Sequence, residues 1–280
     1  MKLTLGFSPC PNDTFVFEAM VHGRVDTEGL EFNYFLADVE ELNRRAFEGK
    51  TDILKISYHA YAWAADNYLI LDTGSALGRG NGPLLISKRH FTDEEVNDLR
   101  IAIPGKYTTA NLLFGIKWPR AVNKKEYLFS RIVEAILNDE ADAGLVIHET
   151  RFTYHRSGLR KICDLGEYWE NYSGMPVPLG AIVVNRYLPD DTAMKVNRII
   201  RRSLMYAYSD ASGVFGFVKK HAQEMESDVM HSHIDLYVNE YTMNLGSEGR
   251  MAVEKLFSTA LSEGVIPALP SRIFLTPATE

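Results

Sequence analysis

The sequence predicts an α/β protein with two lobes, and three observations support this. The chain has 280 residues, which is long for one hydrophobic core and suitable for two. Strand-like apolar runs alternate with amphipathic helix-like segments, a pattern typical of mostly parallel sheets covered by helices. A helix-turn-strand design also occurs twice, once in each half. Two such lobes would enclose a cleft.

The first half is predicted to begin with a strand and a helix. KLTLGF is the strand, and the turn SPCPNDTF places Asn12 or Asp13 to cap a helix that stops at Gly23. Alternating polarity predicts a strand at LEFNYFLA, and amphipathic spacing predicts a helix from Asp38 to Gly49. A buried strand, a helix and another strand are predicted to follow at TDILKIS, YHAYAWAADNY and LLISKR.

The second half repeats this alternation. LRIAIPG predicts a strand that ends at Gly105, and YTTANLLFGIKW predicts a helix with Thr108 and Thr109 in its first turn. We predict a helix at KKEYLFSRIVEAILNDE, a strand at DAGLVIHE and a strand at PVPLGAIVVNR that is entered through two prolines. The aromatic residues of YWENYSGMPVPLG are predicted to lie in a loop before that strand. Helices are then predicted at DDTAMKVNRIIRRSLMYAYSD, GVFGFVKKHAQEM and SEGRMAVEKLFSTALSEG.

The repeated design assigns one polar strand tip to each lobe. FEGKTDILKIS and LNDEADAGLVIH each contain a helix end, an aspartate and an apolar run, and then end in Ser57 or His148. In open α/β sheets, ligands bind outside the carboxyl ends of the strands. Both tips are therefore expected to face a shared cleft.

Two crossings between the lobes are predicted. The first lobe would consist of residues 1–88 and 186–280, and the second lobe, residues 89–185, would be inserted into it. PLLISKR and LGAIVVNR would be the crossing strands. Two crossings of this kind form a hinge that can close the cleft.

Composition argues against several classes of partner. The formal net charge of -7 argues against nucleic acid or an anionic membrane, and leaves room for a local pocket that binds an acidic small molecule. Two cysteines without metal or disulfide spacing, Cys10 and Cys163, fit a reducing cytoplasm. The first residues lack the form of a signal peptide, and no stretch approaches the ~18 apolar residues of a membrane span. We expect a cytoplasmic protein, and a homodimer is left open.

The turn SPCPNDTF is the first candidate binding site. Its two prolines give it a fixed shape, and the first N–H groups of the following helix suit an anion. Asn12, Asp13 and Thr14 could contact such a ligand. Each of them could equally act only as a capping residue.

Lys55 and Ser57 form the second candidate site. A lysine inside an apolar run needs a partner, which could be a carboxylate of the ligand or a protein acid. The hydroxyl of Ser57 could hold a carboxylate or cap the next helix. His59, on that helix, is interpreted as structural.

Thr108 and Thr109 repeat this arrangement in the second lobe. They lie at a predicted helix N-terminus, where hydroxyl and N–H groups can bind an anionic or hydroxylated ligand. The alternative is again helix capping.

His148 is the candidate general base. It is the only one of the eight histidines at the tip of a predicted central strand of the second lobe. An imidazole with an ordinary pKa of ~6.5 suits proton abstraction near neutral pH. The alternative is a solvated histidine bonded to its own loop. Glu149 could orient it or face solvent.

Three other features of the sequence could suggest a site elsewhere. His231 and His233, in HSH, are not interpreted as metal ligands, because no acidic or cysteine cluster stands beside them in the sequence. Arg198, Arg201 and Arg202 are interpreted as a solvated helix face. Trp169 and Tyr172, in the predicted loop, could wall the cleft and stack on a flat ligand, or serve only in packing.

Five segments together resemble one enzyme family. GFSPCPNDTF, DILKISYHAY, PGKYTTANLLF, DAGLVIHE and PLGAIVVNR are similar, in this order, to the 1,4-dihydroxy-6-naphthoate synthase family of the futalosine route to menaquinone. The resemblance covers nearly the whole chain. It implies the two-lobed fold of type II periplasmic binding proteins, used as a lyase.

The same resemblance implies a substrate and its site. The substrate would be cyclic dehypoxanthine futalosine and the product 1,4-dihydroxy-6-naphthoate. His148 would be the proton acceptor, and the substrate would be lined by Lys55, Ile56, Ser57, Thr108, Thr109 and Ala110. We expect no metal or redox cofactor, because formation of the aromatic product supplies the driving force.

Three other functions stay open. A solute-binding protein would share this fold, although the form of the N-terminus argues against export. Chorismate dehydratase of the same pathway would share it too, although the strand tip VIHE favours the naphthoate synthase. An effector-binding domain of a regulator is disfavoured, because the sequence shows no helix-turn-helix or basic segment.

Overall fold

The computed structural model describes residues 1–222 and 226–275, which form two sheets covered by helices. The strands are β1 (Lys2–Phe7), β2 (Glu31–Leu36), β3 (Ile53–Ser57), β4 (Tyr68–Ile70), β5 (Ala76–Gly78), β6 (Leu84–Ser87), β7 (Ile101–Ile103), β8 (Lys124–Glu126), β9 (Ala143–Val146), β10 (Arg160–Asp164) and β11 (Val177–Asn185). The helices are α1 (Pro11–Val21), α2 (Val39–Glu48), α3 (Tyr58–Ala64), α4 (Thr109–Lys117), α5 (Ile132–Leu137), α6 (Thr150–Thr153), α7 (Leu165–Ser173), α8 (Asp190–Ser209), α9 (Ala211–His221), α10 (Ser227–Tyr237), α11 (Glu240–Met243) and α12 (Gly246–Ser262).

Both sheets are mixed, and the prediction of mostly parallel sheets is wrong. In the first sheet, ordered β2-β1-β3-β11-β4, β1 runs parallel to β2 and β3, whereas β11 is antiparallel to β3, β4 and β5. In the second, ordered β10-β6-β9-β7-β8, β7 runs parallel to β8 and β9, whereas β6 is antiparallel to β10 and β9. The alternation of strands and helices predicts the fold class, but it does not predict that β11 and β6 run antiparallel to their neighbours.

The chain passes between the sheets twice. It leaves the first sheet after β5 and enters the second as β6, and it leaves the second after β10 and returns as β11. These two entering strands are the ones that run against their neighbours. The predicted lobe boundaries stay a prediction.

The two repeated aspartates have matching roles at the starts of β3 and β9. The Asp52 carboxylate accepts hydrogen bonds from the N–H and the hydroxyl of Thr4 in β1, each at 2.7 Å. The Asp142 carboxylate accepts from the N–H of Arg100, just before β7, at 2.8 Å, and from its guanidinium. Each aspartate thus joins the start of one parallel pair, whose carboxyl ends carry Ser57 and His148.

Two predicted elements are wrong. The segment from Lys124 begins as the edge strand β8, and becomes helical only at a 3₁₀ turn, Phe129–Arg131, and α5. A three-residue edge strand is too short to show an alternating pattern. The predicted loop containing Trp169 and Tyr172 is helix α7, because the Asp164 carboxylate accepts N–H groups of its first turn.

Helices α1, α2, α3, α4, α8, α9 and α12 lie where they were predicted, whereas α6, α10 and α11 were not predicted. Asp38 caps α2 through a 2.9 Å hydrogen bond from the N–H of Glu40, and Gly49 ends it in the left-handed conformation. The helix predicted at GVFGFVKKHAQEM corresponds to α9, and its predicted end at residues 223–225 lies outside the described residues. The short strands β4, β5 and β10 were not predicted.

The largest hydrophobic cluster joins both sheets. It contains Ile56 of the first sheet, Leu85 and Leu145 of the second, and Tyr61 and Phe114 of the helices between them. A second cluster lies between the first sheet and α1, α8 and α9. The lobes are thus packed against each other. Within the described ranges, no helix combines the length and apolar character needed to cross a membrane.

Candidate functional site

A cavity of about 80 Å³ lies where the carboxyl ends of β1, β3, β7 and β9 meet. Nine of the ten predicted site residues line it: Asn12, Asp13, Lys55, Ile56, Ser57, Thr108, Thr109, Ala110 and His148. The tenth, Thr14, is fully buried outside the lining, and its hydroxyl donates to the carbonyl groups of Cys10 and Pro11. The structure thus brings together loops that are far apart in the sequence.

The first turn of α1 differs from the prediction. Cys10 is the N-cap residue and Pro11 the first helical residue, and no side chain caps the helix. Asn12 and Asp13 therefore lie inside the first turn. One Asp13 carboxylate oxygen accepts from the Ser8 hydroxyl at 2.7 Å, and the other accepts from Asn12 Nδ2 at 2.9 Å.

The ammonium group of Lys55 pairs with a carboxylate of the protein. Its Nζ lies 3.2 Å from Asp13 Oδ1 and donates to the carbonyl of Gly74 at 2.8 Å. Both members of the ion pair are buried. Of the two partners considered for Lys55, the structure contains the protein acid, and the pair forms part of the cavity wall.

Ser57 is positioned by Asn43, which the sequence analysis missed. Asn43 Oδ1 accepts from the N–H of Ser57 at 2.9 Å, and Asn43 Nδ2 donates to the Ser57 hydroxyl oxygen at 3.2 Å. Ser57 precedes α3 but does not cap it through its side chain. Because its oxygen accepts from Asn43, its hydroxyl proton can be donated to a ligand. The available signal is the spacing of Glu40 and Asn43, two polar residues three positions apart that share the buried face of α2 with Leu42 and Ala46.

The two threonines differ in role. Thr108 caps α4: its oxygen accepts from the N–H of Asn111 at 3.3 Å, and its hydroxyl donates to the carbonyl of Gly105. The hydroxyl of Thr109 donates to the carbonyl of Leu179 in β11 at 2.7 Å, which joins α4 to the first sheet. The capping alternative is thus realised for Thr108, and both residues also line the cavity.

His148 has an unusual backbone and a desolvated ring. Its φ of 54° lies in the left-handed region, which few non-glycine residues adopt. Its ring lies 5.1 Å from that of Phe129 between centroids, and within the described residues its buried Nε2 has no hydrogen-bond partner. Burial lowers the pKa of His148 to about 4, and the Asp13 carboxylate opposes this shift. The ordinary pKa used in the sequence analysis therefore does not apply.

A second histidine lies behind His148, outside the cavity lining. His233 of α10 is fully buried, and its Nε2 lies 2.9 Å from Asn12 Oδ1. Its ring stacks on that of His148 with centroids 5.8 Å apart and an angle of 12° between the planes. Its Nδ1 lies 3.8 Å from a Glu149 carboxylate oxygen. The sequence pattern HSH gives no indication of this contact between His233 and His148.

One group of side chains has donor types that metals use. Single donor atoms of Cys10, His148 and Glu149 lie within 4.8 Å of one another. Such donors bind zinc when the thiol is ionised. Burial and the nearby Glu149 carboxylate raise the pKa of the Cys10 thiol well above its usual value, which favours the neutral thiol.

The remaining candidates lie outside the cavity lining. His59 is buried, and its Nδ1 contacts the carbonyl of Thr108 at 3.2 Å, in agreement with a structural role. Trp169 is fully buried and donates to the carbonyl of Pro176, so it does not wall the cavity. Arg198 and Arg202 form ion pairs with Glu28 at the surface, as expected of a solvated face.

Comparisons with known proteins agree on one family. A family model described as menaquinone biosynthesis matches residues 3–262. A 1,4-dihydroxy-6-naphthoate synthase of Thermus thermophilus is 41% identical over 273 residues, which cover 98% of this chain and 99% of that protein. A protein of the same name from Streptomyces coelicolor is 40% identical, with 95% of each chain covered.

Solved structures agree on the fold. Protein AF1704 from Archaeoglobus fulgidus superposes with a TM-score of 0.90 at 35% identity, covering 95% of this chain and 98% of that one. The alkanesulfonate-binding protein SsuA from Xanthomonas axonopodis pv. citri superposes with a TM-score of 0.73 at 11% identity, covering 99% and 96%. The latter likeness concerns the fold alone. The expected two-lobed fold of periplasmic binding proteins is confirmed.

Proposed function

The chain belongs to the 1,4-dihydroxy-6-naphthoate synthase family of menaquinone biosynthesis and is a carbon–carbon lyase, and we propose that it converts cyclic dehypoxanthine futalosine to 1,4-dihydroxy-6-naphthoate with His148 as general base. One observation carries this proposal: the side chain of His148 lines the same cavity as polar groups of three other loops.

The state of His148 supports its role as a base. With a pKa of about 4, the imidazole is neutral at pH 7 and free to accept a proton, and the same burial makes it a weaker base than a solvated histidine. The Asp13 carboxylate acts in the opposite direction to burial, so it stabilises the imidazolium that forms when the substrate gives up its proton. The electron pair left on the substrate then shifts as a bond of the sugar-derived ring breaks. The aromatic bicycle is released in this step.

The substrate carboxylate is held from both lobes. The Ser57 hydroxyl supplies a hydrogen bond from the first lobe, because its own oxygen is satisfied by Asn43. The N-terminus of α4 supplies backbone N–H groups from the second, since the first N–H groups of a helix have no intrahelical partner. Lys55 lies in the same wall, where its charge is balanced by Asp13.

Access to this cavity requires movement of the lobes. Its volume of about 80 Å³ is well below the ~300–1,000 Å³ of ordinary small-molecule sites. The contact between Thr109 and Leu179 and the contact between the Tyr107 N–H and the Glu40 carboxylate, at 3.2 Å, both join the lobes. Opening breaks such contacts and admits the substrate, and closure excludes water from the reaction.

The test is turnover of cyclic dehypoxanthine futalosine by the purified protein, with the product followed by absorbance and mass. His148→Asn is the matched variant, because asparagine also tolerates the left-handed backbone. We expect product from the native chain, and a kcat lower by roughly 10²–10⁴-fold in the variant with the fold intact. A non-catalytic binding protein of this fold, the alternative that SsuA illustrates, would bind the compound tightly and form no product.

A further inference from the structure

His233 is a buried histidine with one nitrogen in a defined protonation state. Asn12 Nδ2 donates to the Asp13 carboxylate at 2.9 Å, so the other end of the amide, Oδ1, faces His233 Nε2 at 2.9 Å. An amide oxygen only accepts hydrogen bonds. His233 Nε2 must therefore carry a hydrogen, and the ring is anchored through Asn12 to the ion pair of Asp13 and Lys55.

The two histidines come from opposite lobes. His233 belongs to α10, which packs against α1 and β5 on the side of the first sheet. His148 follows β9 of the second sheet. The stacking of their rings, with centroids 5.8 Å apart and 12° between the planes, therefore joins an element packed on the first sheet to the end of a strand of the second.

We infer that His233 is a positioning residue for His148: anchored by Asn12, it presents a flat ring against which the imidazole of the base is oriented when the lobes close. The functional consequence of this role rests on the proposed function. His233 does not pass a proton to His148 through a hydrogen bond: the rings are nearly parallel with centroids 5.8 Å apart, His233 Nε2 contacts Asn12, and within the described residues His233 Nδ1 and His148 Nε2 have no hydrogen-bond partner.

The groups around His233 favour the uncharged form of its ring. His233 is faced by Tyr237 of its own helix, with ring centroids 4.6 Å apart, and by Glu149 of the other lobe, and the donor atom of Cys10 lies close to those of His148 and Glu149. Burial and the neighbouring His148 lower the pKa of His233 well below its usual value. A neutral ring at His233 matters because a second imidazolium would oppose proton uptake by the first.

Two variants of His233 test the contribution of its ring separately from that of its hydrogen bond to Asn12. His233→Phe keeps a ring of similar size and removes the Nε2 donor, whereas His233→Gln keeps a donor near the position of Nε2 and removes the ring. We expect each to remain folded and to lower kcat roughly tenfold to a hundredfold with KM changed less than threefold. Asn12→Ala should reduce kcat by itself, but it should add little to His233→Phe, because the anchor is then already lost.

A second readout does not depend on turnover. In protein labelled at histidine, the Cε1–H resonance of His148 is expected to be single in the native chain, and shifted or broadened in His233→Gln. The resonance of His59, which contacts Thr108 elsewhere, serves as the internal control.

The outcomes are distinct. A changed His148 resonance with a lower kcat supports the inference. A native resonance and native kcat in both variants overturn it, and so does a rise in KM alone, which would make His233 a substrate contact. If the native chain binds the compound without turnover while the His148 resonance still depends on His233, the proposed function fails and the positioning role stands.

Discussion

Lys55 Nζ lies 3.2 Å from Asp13 Oδ1 in the wall of the cavity, and their side chains are only 9% and 4% exposed. The pair joins β3 to the first turn of α1. The Asp13 carboxylate also accepts hydrogen bonds from Ser8 and Asn12. It therefore fixes the start of α1, the Lys55 ammonium group and the Asn12 amide, whose oxygen contacts His233.

Breaking this pair should destabilise the fold. Asp13→Asn is expected to lower the free energy of unfolding by about 3 kcal/mol, because Lys55 would remain buried without its counter-charge. Lys55→Met combined with Asp13→Asn should lose less than the sum of the single changes, because no uncompensated charge remains. Urea unfolding of the three variants measures this, and additive losses would contradict it.

The pH dependence of turnover should report the lowered pKa of His148. With a pKa of about 4, the base is free at neutral pH and is lost only when protonated. The acidic limb of kcat/KM is therefore expected to have its midpoint near pH 4. A midpoint near 6.5, the pKa of a solvated histidine, would show that burial does not lower the pKa of His148.

His59 should make stability depend on pH. Burial lowers its pKa from 6.5 to about 4 in the folded chain. Between these values the unfolded chain binds a proton that the folded chain does not, so stability is complete above pH 6.5 and is lost as pH falls toward 4, by up to about 3 kcal/mol. His59→Asn keeps a donor near the carbonyl of Thr108, and should reduce the slope of unfolding free energy in this window. An unchanged slope would assign the acid sensitivity to other groups.

The backbone of His148 should carry a measurable strain. At a φ of 54°, glycine is favoured over alanine by about 1 kcal/mol. His148→Gly is therefore expected to unfold at a higher denaturant concentration than His148→Ala, while both lack activity. Since both variants lose the same ring contacts, the comparison isolates the backbone. Equal midpoints would mean that the loop relaxes to another conformation.

Ser57 should contribute to substrate affinity rather than to stability. Ser57→Ala removes the hydroxyl but keeps the N–H that bonds to Asn43. KM is expected to rise roughly tenfold, as for one hydrogen bond to a charged group, with little change in the unfolding midpoint. A normal KM would remove Ser57 from the substrate-binding set.

Local sequence patterns located several of the polar residues that line the cavity. Asn12, Asp13, Ser57 and Thr108 follow apolar runs at the starts of helices, and such positions can be recognised within about ten residues of sequence. The same patterns predicted α2 between its capping residues Asp38 and Gly49. They failed at β8 and α7, where a three-residue edge strand and a side-chain cap from Asp164 decide the local structure.

The sequence by itself determined the α/β class, the family resemblance and the strand-tip residues, because periodicity, capping and motif order are local properties of the chain. Only the tertiary structure decided the mixed sheets, the anchoring of Ser57 by Asn43, the pairing of Lys55 with Asp13 and the stacking of His233 on His148. It also decided the state of the proposed base. Burial sets the pKa of His148, and burial depends on which distant segments pack around the ring.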